Sequence, residues 1–351
     1  MGGGNSIPLT SILDRSKNNL DLIRLFAAIW VVWDHAFLIS PEPEGYDLSA
    51  PGYVVPLFGF ISGLVITNSL LNKDRPLDFL ISVFCRLYIP LTMVVLVSAF
   101  VLAPCVSSLS FGEFYSQHLY DVLKYVRRNL TFRLEYGIPT VFDNNKFKLY
   151  LNGNLWCITY FFGGYLFLLS LKLIGVLRPH YKTGFFLLIL AFGFLLCQKI
   201  CSQVQILPAA HNIVTVFSIV FGAAICSLKY HLPCNYYLPL AALLLKLTIG
   251  RWSPEVMHIC NIVFIFALAV WISHQSWFLR LRPRYNLSLG YFLMSFPVQQ
   301  TLAYLFVTSP IINFVLTVLV TGALAIVSHL TIERFSYSLA AYLKLKVAKY
   351  Q

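Results

Sequence analysis

The stretch NNLDLIRLFAAIWVVWDHAFLIS, Asn18 to Ser40, decides the fold. From Leu20 onward it is an apolar run of about 20 residues, which as a helix covers ~30 Å, one hydrocarbon core. It nevertheless carries Asp21, Arg24, Asp34 and His35. Ionisable groups at membrane depth are costly, so each is a candidate for function. Arg24 and His35 lie about three turns apart, which puts them on nearly one face and roughly 16 Å apart along the axis. That face pairs a fixed cation near one interface with a titratable imidazole toward the other. Two plainer readings stand beside this one: Arg24 snorkelling to headgroups, and His35 as a satisfied bundle histidine or a membrane-boundary residue.

Working outward, the composition agrees with a membrane protein. The chain has 351 residues, 58% hydrophobic and only 11% charged, whereas a soluble domain is about 25% charged. The expected fold is an all-α polytopic membrane protein, a bundle of about ten transmembrane helices. The spans are expected at roughly 22–40, 54–71, 87–107, 154–174, 184–200, 209–228, 236–250, 257–275, 286–306 and 310–330. The first is read as a retained helix and not a cleaved signal, because no n-region, h-region and small-residue cleavage site precedes it. With both termini cytoplasmic, Arg15, Lys17, Lys73, Arg75, Arg178, Lys182, Arg280, Arg282, Arg284, Lys344, Lys346 and Lys349 fall on one side, as the positive-inside rule expects. The segment 108–153 then lies outside as a long loop, where the rule weakens. The net charge of +12 follows from this bias, so no nucleic-acid partner is inferred. The expected organisation is a flexible tail over 1–18, a transmembrane domain over 19–335 and a basic cytoplasmic tail over 336–351. Gly2 opens a weak myristoylation pattern.

The eight cysteines give no disulfide framework and no metal-ligand spacing. Cys85, Cys105, Cys157, Cys197, Cys226 and Cys260 read as buried thiols acting as small hydrophobes. No metal site is expected.

Three further stretches place polar residues in or beside apolar runs. LFGFISGLVIT contains Ser62 and Gly63, a pair that marks close helix packing or a backbone opening toward a ligand. FCRLYIP sets Arg86 before a span, with Pro90 read as a first-turn proline. A guanidinium there could hold the phosphates of a donor, or be one more positive-inside residue. LNGNLWCITYFFGGYL, Leu151 to Leu166, opens with Asn152, Gly153 and Asn154, which are turn and cap residues. Trp156 follows at interface depth, where aromatic belts form.

In order, these motifs resemble the membrane acyltransferase-3 family, whose members include O-acetyltransferases of bacterial surface polysaccharides. The series is LDLIRLFAAIWVVWDH (Leu20 to His35), FGFISG (Phe58 to Gly63), FCRLYIP (Phe84 to Pro90) and NGNLW (Asn152 to Trp156). SLGYFLMSFPVQQ from Ser288 and Ile332-Glu333-Arg334 complete it. The chain departs from the family pattern at four positions. Phe161 stands where a Glu is usual, Pro56 where an Asp often precedes the second motif, Ser295 where a His is common, and Val83 where a second Arg is expected.

The resemblance implies transfer of an acyl group, usually acetyl from acetyl-CoA, to a hydroxyl of a cell-surface glycan or its lipid-linked precursor. It thereby implies acyl-CoA as co-substrate, no permanently bound cofactor, and a multi-pass location in the cell membrane, the bacterial inner membrane. His35 would be the general base, since imidazole has the suitable unperturbed pKa. Asp34 is the nearest acidic substitute for the absent Glu, though its side chain leaves the helix about 100° from that of His35. Asp143, Glu135 and Glu255 in the outer loops stand open as alternatives. Arg24 and Arg86 would bind the donor, and Ser62, Gly63, Asn152, Asn154 and Trp156 would line the substrate path. The alternative is a non-catalytic relative that binds or helps to move a glycan or lipid intermediate, a reading that the Phe161 replacement favours. A third reading, an unrelated solute transporter, would need broken helices in two corresponding halves, and no such halves are present in the sequence.

Overall fold

The computed structural model describes residues 7–41, 48–50, 52–72, 75–203, 210–306 and 309–349. Gly2, with everything before Ile7, and Lys73 lie outside the described residues. Twelve helices carry the fold among them. They are α1 (Leu20–Ile39), α2 (Val54–Leu71), α3 (Pro76–Val97), α4 (Phe111–Leu130), α5 (Leu155–Leu173) and α6 (Tyr181–Gln203). Then come α7 (Ala210–Ser227), α8 (Tyr237–Thr248), α9 (Pro254–Ser273), α10 (Ser288–Phe306), α11 (Pro310–Ser328) and α12 (Arg334–Ala348). A two-residue antiparallel ladder, Ile7–Pro8 with Pro233–Cys234, is the sole sheet among the described residues. A helix stands at each of the ten stretches expected from the sequence. Among the described residues six helices have the length and apolarity to cross a membrane: Leu20–Ile39, Val54–Leu71, Pro76–Cys105, Leu155–Leu173, Pro254–Ser273 and Pro310–Ala348.

The chain forms two compact units. The first holds Met1–Ala27, Gly52–Pro76 and Tyr160–Arg284. Its centre is the contact of α2 with α7, set by glycine. A Cβ on Gly63 would collide with the Ile219 carbonyl oxygen, and one on Gly222 with the Phe60 carbonyl oxygen. Two backbones meet where small residues permit it. Beside this contact Phe60 stacks on Phe266 at 4.4 Å, and Phe217 and Phe221 continue the aromatic layer.

The second unit holds Ala28–Pro51, Leu77–Thr159 and Tyr285–Gln351. Here α10 packs on α11 through Gly290, where a Cβ would stand 2.9 Å from the Ala325 methyl. Its interior is held largely by side-chain amides. Gln299 Nε2 donates to the Val32 carbonyl at 2.8 Å, and Asn313 Nδ2 donates to the Gln299 carbonyl. Gln300 Nε2 donates to the carbonyls of Phe147 and Tyr150, while Asn145 Nδ2 donates back to Gln300. Lys146 Nζ donates to the carbonyls of Phe37 and Ser40, a cation closing the C-terminal end of α1.

Four sequence expectations are corrected. The third span does not begin near 87: α3 starts at Pro76, with Asp78 in its first turn. Phe79, Ser82 and Cys85 recur at helical spacing on its buried side, so the helix extends further back than the apolar run. Pro90 is therefore a mid-helix proline and not a first-turn one. Membrane helices tolerate this because neighbouring groups satisfy the freed carbonyl. Segment 108–153 is not all loop, because α4 lies within it. It begins with a capping box, Ser110 with Glu113, and buries Phe114, Val122 and Tyr125. Its polar remainder made it read as loop. Finally, Cys105 and Cys197 are exposed, whereas Cys85, Cys157, Cys226 and Cys260 are buried.

Candidate active site

The site is built around a proline. Pro297 sits inside α10 and has no N–H to give to the carbonyl four residues back, that of Leu293. A bare carbonyl inside a membrane protein needs another donor. Asn152 supplies it, its Nδ2 donating to the Leu293 oxygen at 2.8 Å. Asn154 does the same one residue earlier, donating to the Phe292 carbonyl at 2.8 Å and to Ser295 Oγ at 3.3 Å. Asn152 Oδ1 accepts from the Asn154 N–H, which closes the turn. Gly153 lies between the two asparagines because a Cβ there would stand 2.6 Å from the Phe296 ring. All of Asn152, Asn154 and Ser295 are buried. The asparagine turn thus locks the start of α5 to the proline-bearing centre of α10. Ser295, where the resemblance led one to look for a His, is one of the acceptors.

His35 meets the same segment. Its ring packs edge-on against Phe296, with centroids 5.2 Å apart. Its Nδ1 is buried and has no hydrogen-bond partner among the described residues. Ile39, Phe147 and Tyr150 pack around Phe296, so the ring rests on a firm apolar wall. A polar atom held bare in such a place is the kind that a ligand satisfies. Asp34 points elsewhere, and its Oδ1 accepts from the Ala50 N–H at 2.9 Å. The adjacent Trp33 donates its indole N–H to the Leu48 carbonyl. Trp156 is half-buried in the first turn of α5.

At the other end of α11 stands a group that the sequence reading did not single out for chemistry. His329 and Glu333 flank a π-helical turn, with His329 Nδ1 2.9 Å from Glu333 Oε2. Glu333 is buried, and its Oε1 has no partner among the described residues. The His329 ring also lies 5.2 Å from that of Tyr285. The signal in the sequence was the four-residue His–Glu spacing within an apolar run. Arg86 is exposed on α3, with its guanidinium carbon 4.8 Å from the centre of the Tyr337 ring on α12.

The remaining candidates belong to the first unit. Arg24 is half-buried beside Asp21, 3.8 Å away. Gly63 is used by the close approach of α2 to α7, which is the packing reading of the Ser62-Gly63 pair. Phe161 is buried. Among the described residues no group of three or more His, Cys, Asp or Glu side chains could hold a metal ion.

With this geometry in hand, comparison with known proteins gives the class. The family model described as an acyltransferase domain matches residues 17–331, and the chain belongs to that family. It is similar to the O-acetyl transferase of Shigella phage Sf6, with 26% identity over 182 residues. The match covers 50% of this chain and 51% of the phage protein, so the chain spans about half the length of this curated relative. No solved structure matches. The family and the apolar helices together make this a multi-pass membrane protein with an acyltransferase domain.

Proposed function

We propose that this protein is an integral membrane O-acyltransferase. It moves an acyl group, acetyl in the first instance, from a coenzyme A thioester to a hydroxyl of a cell-surface glycan or its lipid-linked precursor. The observation that carries the reading is His35, held against Phe296 with a buried, unpartnered ring nitrogen, inside a family match over residues 17–331. In the proposed step the acceptor O–H gives its proton to the His35 imidazole as the oxygen attacks the thioester carbonyl. The C–S bond then breaks, and the thiolate leaves with the proton returned by the imidazolium. Asn152 and Asn154 are positioning residues, since they fix the α10 segment on which His35 rests. Trp156 completes the substrate path of this unit in this reading. Arg86 meets the donor in this reading, and Asp34 acts through the loop it holds. The proposed topology has about ten spans, both termini cytoplasmic and the bacterial inner membrane as location, supported by the placing of the basic residues.

A second reading, a non-catalytic relative that binds a glycan or lipid intermediate, is favoured by one observation. The position of the usual acid is a buried phenylalanine, Phe161. One experiment separates the two. Labelled acetyl-CoA is supplied to membranes holding the protein and its native glycan. Label enters the glycan with wild type and falls ~10²–10⁴-fold with His35→Ala, the range for loss of a general base. Binding of glycan with no label in either sample selects the non-catalytic reading.

A further inference from the structure

α1 and α10 meet through two contacts in reversed order. Gln299 of α10 holds Val32 of α1, its Nε2 donating to the Val32 carbonyl at 2.8 Å. One step along, the Phe296 ring of α10 meets the ring of His35. Val32 to His35 and Phe296 to Gln299 are each three residues, about 4.5 Å of helix rise. Each contact carries a bare polar atom. The Oε1 of Gln299 and the Nδ1 of His35 are both buried without a hydrogen-bond partner among the described residues.

The Gln299 amide cannot turn to relieve this. Its Nε2 lies between two acceptors, the Val32 carbonyl and Asn313 Oδ1 at 3.3 Å. Asn313 is oriented in turn, because its Nδ2 donates to the Gln299 carbonyl and its Oδ1 accepts from Thr317 Oγ1. All three side chains are fully buried. A flipped Gln299 amide would set its oxygen against the Val32 carbonyl oxygen, so the network fixes Oε1 on the other side.

His35 is divided between inside and outside. The residue is half-buried, yet Nδ1 is enclosed, so the open part of the ring is the part with Nε2. A base must offer its lone pair where the acceptor hydroxyl can come. The working nitrogen is therefore Nε2, and the proton belongs on Nδ1. A buried N–H needs an acceptor. Asp34, its neighbour in the chain, is engaged with the Ala50 N–H. Gln299 Oε1 is the acceptor lacking a donor within the same contact. The helix rise of about 4.5 Å between the two levels exceeds one hydrogen bond of ~2.9 Å and suits two in series through a water molecule.

We propose that Gln299 is a positioning residue for the base. A water molecule accepts the His35 Nδ1–H and donates to Gln299 Oε1, which keeps the proton on Nδ1 and leaves Nε2 to take the hydroxyl proton. This rests on the acyl-transfer reading. It gives the chain an uncharged orienting group where a carboxylate is common, in an interior where an unpaired carboxylate would be costly.

The test is nuclear magnetic resonance of the purified full-length protein in detergent, isotope-labelled at the histidine ring nitrogens, which reads the nitrogen that carries the proton. The His35 signal is identified among the eight histidines by its loss in His35→Ala. Wild type is compared with Gln299→Met, Gln299→Glu and Thr317→Val, and acetyl transfer is measured on the same samples. In wild type the proton is on Nδ1. Gln299→Met keeps the length and removes the oxygen. It mixes the two tautomers and lowers kcat ~10²-fold, the lower end of the effect of a general base, with KM for the glycan unchanged. Gln299→Glu keeps an acceptor oxygen, and its O–H replaces the donor to Val32. It restores the Nδ1 proton, and kcat returns to within several-fold of wild type. Thr317→Val loosens the same network away from the bridge and leaves tautomer and kcat as in wild type, even where the melting temperature falls. A wild-type proton on Nε2 overturns the proposal, as does an unchanged tautomer in Gln299→Met. So does a loss of kcat that follows the melting temperature alike in Gln299→Met and Thr317→Val, which is a purely structural role. Wild-type transfer alongside any of these results leaves the acyltransferase reading standing. A wild type that binds glycan and transfers nothing removes that reading, and this inference with it.

Discussion

The two units keep their helices together by opposite means. In the first, α2 and α7 touch backbone to backbone through Gly63 and Gly222, and phenylalanine rings fill the rest. In the second, α1, α5, α10 and α11 are joined by Asn152, Asn154, Gln299, Gln300 and Asn313, all buried amides. Membrane helices can associate by close apolar packing alone, so the amides of the second unit are not needed for assembly as such. One of them, Asn152, answers the Leu293 carbonyl that Pro297 inside α10 leaves bare. The contrast indicates where the chain accepts polar cost: around His35, beside the amide-held, proline-bearing segment of α10.

Substitutions that exchange the two means break or sharpen this contrast. Gly63→Leu should be the most damaging. The side chain has no room against Ile219, and overpacking of ~3 kcal/mol or more should abolish a monodisperse peak in size-exclusion chromatography. A folded, stable Gly63→Leu protein would show that the α2–α7 contact does not govern assembly. Phe161→Glu comes next. It puts a carboxylate at a buried apolar position at a cost of roughly 2–3 kcal/mol. It should lower the melting temperature without raising acetyl transfer, and a gain in transfer would mean that the usual acid is still wanted there. Asn152→Ala leaves the Leu293 carbonyl unpaired and should cost ~1–3 kcal/mol. Pro297→Ala restores an N–H to that carbonyl, so in the double variant most of the Asn152 penalty should vanish. Additive penalties, within ~0.5 kcal/mol, would separate the asparagine from the proline.

The smallest effect lies at the α4 cap. Ser110 donates to Glu113 through its N–H and its hydroxyl, which holds the Glu113 carboxyl below its ordinary value of 4.5. A depressed carboxylate adds stability above the unfolded-state value, and that stability fades as pH falls through the folded-state value. The melting difference between wild type and Glu113→Gln should therefore be present at neutral pH and shrink in acid. A difference that grows in acid would contradict the cap.

Much of the fold was legible because it rests on local pattern. Apolar runs located a helix at each expected stretch, six helices among the described residues being long and apolar enough to cross a bilayer, and the order of motifs from Leu20 to Arg334 pointed to the family that the match over 17–331 then showed. Two boundaries were misread for local reasons. Residues 76–86 are helical on the strength of a buried face carried by Phe79, Ser82 and Cys85, which an average over the window dilutes. α4 is amphipathic and lies between spans, so its charges read as loop.

The sequence could nominate candidate site residues but not their arrangement. Spacing along one helix could bring His35 and Arg24 to one face. It could not reveal that Asn152 answers a vacancy left by Pro297, 145 residues later. Nor could it reveal that Asp34 is spent on the Ala50 N–H, or that Gly63 serves packing. The sequence by itself determined the solvent of this protein, its helices and its family, because hydrophobicity and short-range periodicity are properties of neighbours in the chain. Only the tertiary structure decided which polar atoms are answered and which are left bare. Hydrogen bonds and close contacts depend on distances of a few ångströms between segments that the chain order keeps far apart.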